Sequence, residues 1–221
     1  MKMKALITFF LILVVFVGHA TSKRVVKNFT FKGKTIKYAI QLPSDHNPEK
    51  SYPVMIGPSE VEGEESQSFY WRGTQETYGW ILVDYQIYNA QSRVGEIKAF
   101  LGHLKSIYKV EGNKFHTVCF SANSASIFDL VMEMPGYFKS ITGVAGNPST
   151  TDKDKLGKLK GVKVNFIVGE NDSYWLDTTK KRYQLLKEIG VDTEVEYIKN
   201  GPHVITEIIG EGFLRRSDRL R

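Results

Sequence analysis

Cysteine is nearly missing from this chain: among 221 residues only Cys119 occurs, so no internal disulfide can form. Proline is scarce at 7 and no glycine period exists, which excludes collagen-like and low-complexity chains. No run of five or six basic residues appears although 30 Lys and Arg face 24 Asp and Glu. The net charge of +6 is spread through both signs and leaves no footprint for nucleic acid or an anionic membrane. No glycine-rich phosphate loop of the Walker or dinucleotide type follows a predicted strand. His46, His103 and His116 fall in a loop, a helix and a strand start, without metal-site spacing. Neither a cofactor nor a metal is therefore expected. What remains is 42% hydrophobic and 24% charged, the mix of one folded domain whose core needs no covalent or metal staple.

Residues 1–20 differ in kind. Lys2 and Lys4 precede an apolar run from Ala5 to Val17, and Gly18-His19-Ala20 offers small residues where a signal peptidase reads. The run is too short to cross a bilayer comfortably; an uncleaved anchor is the alternative to a cleaved signal. Cleavage removes two lysines and lowers the net charge from +6 to +4. The expectation is a signal at 1–20 and a single domain at 21–221, exported to the periplasm or beyond, with no stable membrane span after cleavage. One thiol in an exported chain fits a bacterial source. Glycosylation patterns at Asn28 and Asn171 point the same way, because a glycan on Asn171 would crowd Asp172.

In the remainder, Phe29–Phe31 and Ile36–Leu42 alternate apolar with polar around Lys32-Gly33-Lys34, an antiparallel hairpin. Strands are predicted at Tyr52–Gly57, Trp80–Val83, Phe115–Phe120, Ser140–Ala145, Val162–Val168 and Thr193–Ile198. Helices are predicted from Arg93 to about Tyr108, over Ala122–Met134 and Thr178–Ile189, and finally over His203–Ile209. A short helix is expected in the later part of Pro58–Tyr78, and Lys153–Lys160 is read as a solvated loop. A hairpin followed by alternating strands and helices implies an α/β domain: a mainly parallel sheet with helices on both faces.

Reactive groups in such sheets collect in loops at the carboxyl ends of strands. Three such turns supply, in chain order, the hydroxyl of Ser121, the carboxylate of Asp172 and the imidazole of His203. A serine hydroxyl needs an imidazole to remove its proton, and the imidazole needs a carboxylate to fix its tautomer and stabilise its cation. This order and spacing resemble the α/β-hydrolase superfamily, particularly small secreted esterases related to feruloyl esterases and polyhydroxybutyrate depolymerases. The resembling stretches are Tyr52-Pro-Val-Met-Ile, Tyr78-Gly-Trp-Ile-Leu-Val-Asp84, Val118-Cys-Phe-Ser-Ala-Asn-Ser-Ala125 with Pro135-Gly-Tyr-Phe138, Ile167-Val-Gly-Glu-Asn-Asp172 and Gly201-Pro-His203. The resemblance implies an acyl-enzyme hydrolase of small-molecule or polymer esters, with an oxyanion hole at the Ala122 N–H and around Ser59 and Glu60.

The chain departs from the family pattern in two places. The nucleophile turn Gly-x-Ser-x-Gly carries Cys119 and Asn123 in place of its glycines, adding atoms where the bend is tightest. The second oxyanion donor falls near Ser59-Glu60 after Pro58, which has no N–H, and Glu60 brings a negative charge. The alternative function is accordingly a binding or scaffolding protein that kept the fold and lost the chemistry. Ser124 is the rival nucleophile, and Ser121, Asp172 and His203 each have an ordinary reading as helix caps or loop residues. Cys119 reads as a small buried hydrophobe. Phe69, Tyr70, Trp71, Tyr88, Tyr174 and Trp175 are either core residues or an aromatic wall for an acyl or aryl group.

Overall fold

A computed structural model describes residues 22–58, 68–85 and 93–221. The predicted signal at 1–20, Ser59, Glu60 and Tyr88 lie outside the described residues. Among the described residues no helix is long and apolar enough to cross a membrane.

Eight strands form one sheet: β1 (Arg24–Phe31), β2 (Lys34–Gln41), β3 (Val54–Pro58), β4 (Ile81–Tyr85), β5 (Phe115–Phe120), β6 (Phe138–Val144), β7 (Lys163–Gly169) and β8 (Thr193–Ile198). Their order is β1-β2-β4-β3-β5-β6-β7-β8. Only β2 runs against its neighbours, pairing antiparallel with β1 and β4, while every pair from β4 to β8 is parallel. Parallel pairs need crossovers, and from β4 to β8 these carry α1 (Val94–Ile107), α2 (Ser124–Glu133), α3 (Lys153–Gly157) and α4 (Ser173–Glu188), with α5 (Glu211–Ser217) near the end of the chain.

Strands β3 and β4 are buried at every position, as a sheet covered on both faces requires. One face packs Phe115 and Phe166 against Phe100 of α1, Phe128 of α2 and Leu186 of α4. The other packs Val118 and Ile167 against Trp71, Trp80 and Phe213 of α5. A polar knot secures the second face where the chain re-enters at Ser68. Buried Asp84 accepts from Arg24 Nε at 2.8 Å, Ser68 N–H at 2.8 Å and Trp71 Nε1 at 3.0 Å. Burial holds its carboxyl pKa above the ordinary value although the Arg24 guanidinium opposes this. Breaking such a pair by removing one partner costs on the order of 3 to 5 kcal/mol.

Four predicted elements are corrected. The final helix is not at His203–Ile209: His203 sits in a loop, Thr206–Ile208 is a single 3-10 turn, and the helix proper is α5. The positive φ of Gly210 stops any helix from running through from His203 to Glu211. Helix α4 begins at Ser173 rather than Thr178, since Tyr174 and Trp175 belong to its amphipathic first turn. Lys153–Gly157 is a helix rather than a loop, started by Asp152, whose carboxylate accepts from the N–H groups of Asp154 and Lys155. Among the described residues between Pro58 and Tyr78 the helix amounts to one 3-10 turn at Phe69–Trp71.

His116, fully buried at the start of β5, contacts Ser140 Oγ through Nδ1 at 2.7 Å. Burial, with smaller contributions from Lys139 and Arg221, pushes its pKa down from 6.5 to about 3. The folded ring is thus neutral at pH values where the unfolded chain has already taken up a proton. Stability is fully present above 6.5 and is lost as pH falls towards about 3. His116→Asn should remove that dependence. Denaturant melts should show the wild-type advantage over the variant shrinking by about 1.4 kcal/mol per pH unit below 6.5; equal slopes would contradict the assignment.

Candidate active site

Three turns at the carboxyl edge of the sheet carry the predicted side chains, and the structure brings all three together. Strand β5 runs straight into a 3-10 turn at Ser121–Asn123 and then into α2. Ser121 takes the left-handed backbone conformation, with φ of +50°, which for a residue with a Cβ costs on the order of 1 to 3 kcal/mol. The turn thrusts its hydroxyl off the strand end. His203 Nε2 lies 3.0 Å from Ser121 Oγ, and His203 Nδ1 lies 2.6 Å from Asp172 Oδ2.

Asp172 stands at the N-terminal boundary of α4, yet its side chain makes no capping hydrogen bond. The carboxylate faces the imidazole instead, which removes the helix-cap explanation of this residue. Its side chain is 9% exposed, against 39% for that of His203: a shielded acid behind a ring that solvent and a ligand can reach. His203 is flanked by aromatics, with Phe120 at 4.9 Å between ring centroids and Trp175 at 6.4 Å, close to parallel.

The loops that bear Asp172 and His203 are laced to each other. Glu170 N–H donates to the Ile198 carbonyl at 3.0 Å, Asn171 N–H to the Gly201 carbonyl at 2.9 Å, and Asn171 Nδ2 to the Asn200 carbonyl at 3.0 Å. The backbones cross so closely that a Cβ on Gly169 would overlap the Gly201 carbonyl. Only a residue without a side chain fits there.

Both replacements in the nucleophile turn have room. The Asn123 side chain folds back so that its Oδ1 accepts from the Phe120 N–H at 2.8 Å. It adds a hydrogen bond that a glycine, having no side chain, could not make. Cys119 is fully buried, with Sγ at 3.5 Å from the Thr142 carbonyl; burial pushes its thiol pKa far up. The loop after β6 also packs closely on this turn: a Cβ on Gly146 would come within 2.7 Å of Ser124 Cβ and 3.2 Å of the Ser121 nitrogen. Ser124 is 1% exposed and donates its hydroxyl to the Ser121 carbonyl at 2.6 Å, so the rival serine is engaged within the turn.

Of the predicted oxyanion donors, Ala122 follows Ser121 in the opening turn, exposed, where an N–H has no partner within the helix. Ser59 and Glu60 fall outside the described residues. Among the aromatics, Tyr70 and Trp71 are core residues at 2% and 0% exposure, whereas Tyr174 and Trp175 open α4 beside His203. Tyr174 and Val204 are exposed, extending the apolar surface next to the ring.

No protein-family model matches the chain, and no curated protein matches it by sequence. Solved structures do. A mutant feruloyl esterase module from Clostridium thermocellum, complexed with sinapinate, matches with a TM-score of 0.67 and 12% identity over 83% of this chain and 83% of that one. Porphyromonas gingivalis dipeptidyl peptidase 4 gives 0.66 and 13%, over 90% of this chain and 35% of that one. A thermostable esterase gives 0.63 and 16%, over 80% of this chain and 55% of that one. The chain thus spans only part of the peptidase and of the thermostable esterase. At such identities the likeness is one of architecture, and together with a mostly parallel sheet in which only β2 is reversed it shows that this chain has the α/β-hydrolase fold.

Proposed function

We propose that the chain is an exported serine hydrolase that cleaves carboxylic esters through an acyl-enzyme. The observation that carries this reading is the unbroken relay from Ser121 Oγ through both nitrogens of His203 to Asp172. Three ordinary capping or loop residues have no reason to point at one another from three separate turns.

In the proposed reaction Ser121 Oγ attacks the ester carbonyl carbon while its proton passes to His203 Nε2. Asp172 holds the Nδ1–H and stabilises the imidazolium. The carbonyl electrons collect on oxygen, facing the Ala122 N–H and, by resemblance, a second donor near Ser59 and Glu60. The tetrahedral adduct collapses, the C–O bond to the alcohol breaks, and His203 Nε2–H protonates the departing oxygen. A water then attacks the acyl-enzyme, gives one proton to His203, and the acid leaves as Ser121 recovers its own.

The substrate in this reading is a small-molecule or polymer ester whose acyl or aryl part lies against Phe120, Trp175 and the exposed Tyr174. The binding-only alternative draws on Cys119 and Asn123, which make hydrogen-bond contacts within the turn, and on Ser59 and Glu60, which lie outside the described residues. Export belongs to the same proposal and rests on Lys2, Lys4 and the apolar run that follows.

Two measurements test these claims. Ser121→Ala should lower kcat on a short p-nitrophenyl ester by roughly 10⁶-fold and abolish labelling by a fluorophosphonate; Asp172→Asn should cost roughly 10⁴-fold by spoiling the tautomer. Full turnover in the first variant, or no labelling of folded wild-type protein, would end the hydrolase reading. For export, mass spectrometry of protein recovered from a bacterial periplasm or medium should find an amino terminus at Thr21, and a chain still beginning at Met1 would contradict cleavage.

A further inference from the structure

The turn that holds Ser121 and the helix α4 that follows Asp172 lie on different crossovers, and β6 stands between their parent strands β5 and β7. A polar chain, buried at Ser124, Asn147 and Thr179, spans that interval. Ser124 Oγ donates to the Ser121 carbonyl at 2.6 Å, and the Asn147 N–H donates to Ser124 Oγ at 3.2 Å. From the other end of Asn147, Nδ2 donates to Thr178 Oγ1 at 3.1 Å and to Thr179 Oγ1 at 3.3 Å. Thr178 Oγ1 in turn donates to the Tyr174 carbonyl at 3.0 Å, in the first turn of α4 just after Asp172.

Burial gives these contacts their weight. Asn147 is 6% exposed and Thr179 1%, so each unmade hydrogen bond leaves a desolvated polar group at a cost of about 1 to 3 kcal/mol. The backbone leading to Asn147 is equally constrained. Ala145 is held at φ of +41° with its N–H on the Ile167 carbonyl at 2.8 Å, and Gly146 lets the loop press against Ser124. Arg182, one helical turn further along α4, fastens the same loop by donating to the Pro148 carbonyl at 2.8 Å and the Ser149 carbonyl at 3.1 Å. Strain at Ala145 persists only where the surroundings fix it, and what it sets in place is the Asn147 side chain.

We infer that Asn147 is a positioning residue, one that fixes the Ser121 turn against the Asp172 end of α4 and so aligns the relay through His203. It touches no reacting atom. The inference rests on the hydrolase reading above for its kinetic consequence, though not for its geometric one.

The test uses the full chain with Asn147→Ala, the double variant Thr178→Val/Thr179→Val, and the hydroxyl-retaining Thr178→Ser/Thr179→Ser. Three quantities are read on variants shown to be folded by circular dichroism: kcat and KM on p-nitrophenyl acetate, the rate of fluorophosphonate labelling of Ser121, and the downfield proton resonance of His203 Nδ1–H. Asn147→Ala and the valine pair should each lower kcat and labelling about 10- to 100-fold, the loss typical of slight misplacement. KM should stay within about twofold, and the resonance should broaden or vanish. The serine pair should keep all three near wild type, and joining Asn147→Ala to the valine pair should add little further loss. If Asn147→Ala fails to fold, the valine and serine pairs decide alone. Wild-type labelling and an undisturbed resonance in a folded Asn147→Ala or valine variant would overturn the inference, as would equal losses in the serine pair. If wild-type protein shows the resonance but neither turnover nor labelling, the hydrolase reading fails instead, and the resonance in the variants still decides the role of Asn147.

Discussion

The close approach of backbones at the carboxyl edge of the sheet is the constraint on which the site depends. Loops following β5, β7 and β8 must converge until a hydroxyl, a carboxylate and a ring stand within hydrogen-bond reach, which leaves no space for side chains where the loops cross. Gly169 meets the Gly201 carbonyl at one crossing, and Gly146 meets the Ser121 turn at the other. Polar contacts then lock what the glycines permit: the lacing of Asn171 to the Gly201 carbonyl on one side and the Ser124–Asn147–Thr179 chain on the other. Removal of a methyl group at each crossing thus contributes as much to geometry as any attractive contact, because the attractive contacts are short-ranged and cannot form across a wider gap.

Much of this was legible from the sequence because strands in a parallel sheet announce themselves. The run Phe115–Phe120 predicts β5 with its observed bounds, since a strand inside such a sheet is a short, largely apolar run bounded by a breaker on one side and polar residues on the other. The strand ends then gave Ser121, Asp172 and His203 without knowledge of any contact. Helix ends were less legible. Tyr174 and Trp175 hid the start of α4 because aromatic residues near a strand end read equally well as loop or core. The segment after His203 spaces Val204, Ile205, Ile208 and Ile209 as the face of a short helix would, whereas Ile205 and Ile208 pack into the second core from a single 3-10 turn.

Asn147 was invisible for a different reason. In the sequence it stands between a glycine and a proline, and its hydrogen-bond partners lie 31 and 32 residues away on another element. Local spacing carries no signal for such a pair; only the placement of the loop after β6 between the Ser121 turn and α4 reveals it. The same applies to the nucleophile turn. Judged by its own residues, Cys119 and Asn123 overfill it, yet Asn123 turns its extra atoms into a hydrogen bond with Phe120, and Gly146 in the loop after β6 leaves the space in which Ser121 and Ser124 sit. A local motif is thus only half of the steric problem, the other half being written on the neighbouring strand.

The burial of Cys119 has a practical corollary. It is the lone thiol of the chain, fully enclosed two residues ahead of Ser121, and burial keeps it protonated. Maleimides and iodoacetamide, which consume the thiolate, are therefore shut out of the native molecule. Alkylation can proceed only in molecules whose central strand has come apart, so uptake of a single reagent equivalent becomes a clock for opening events in the middle of the sheet.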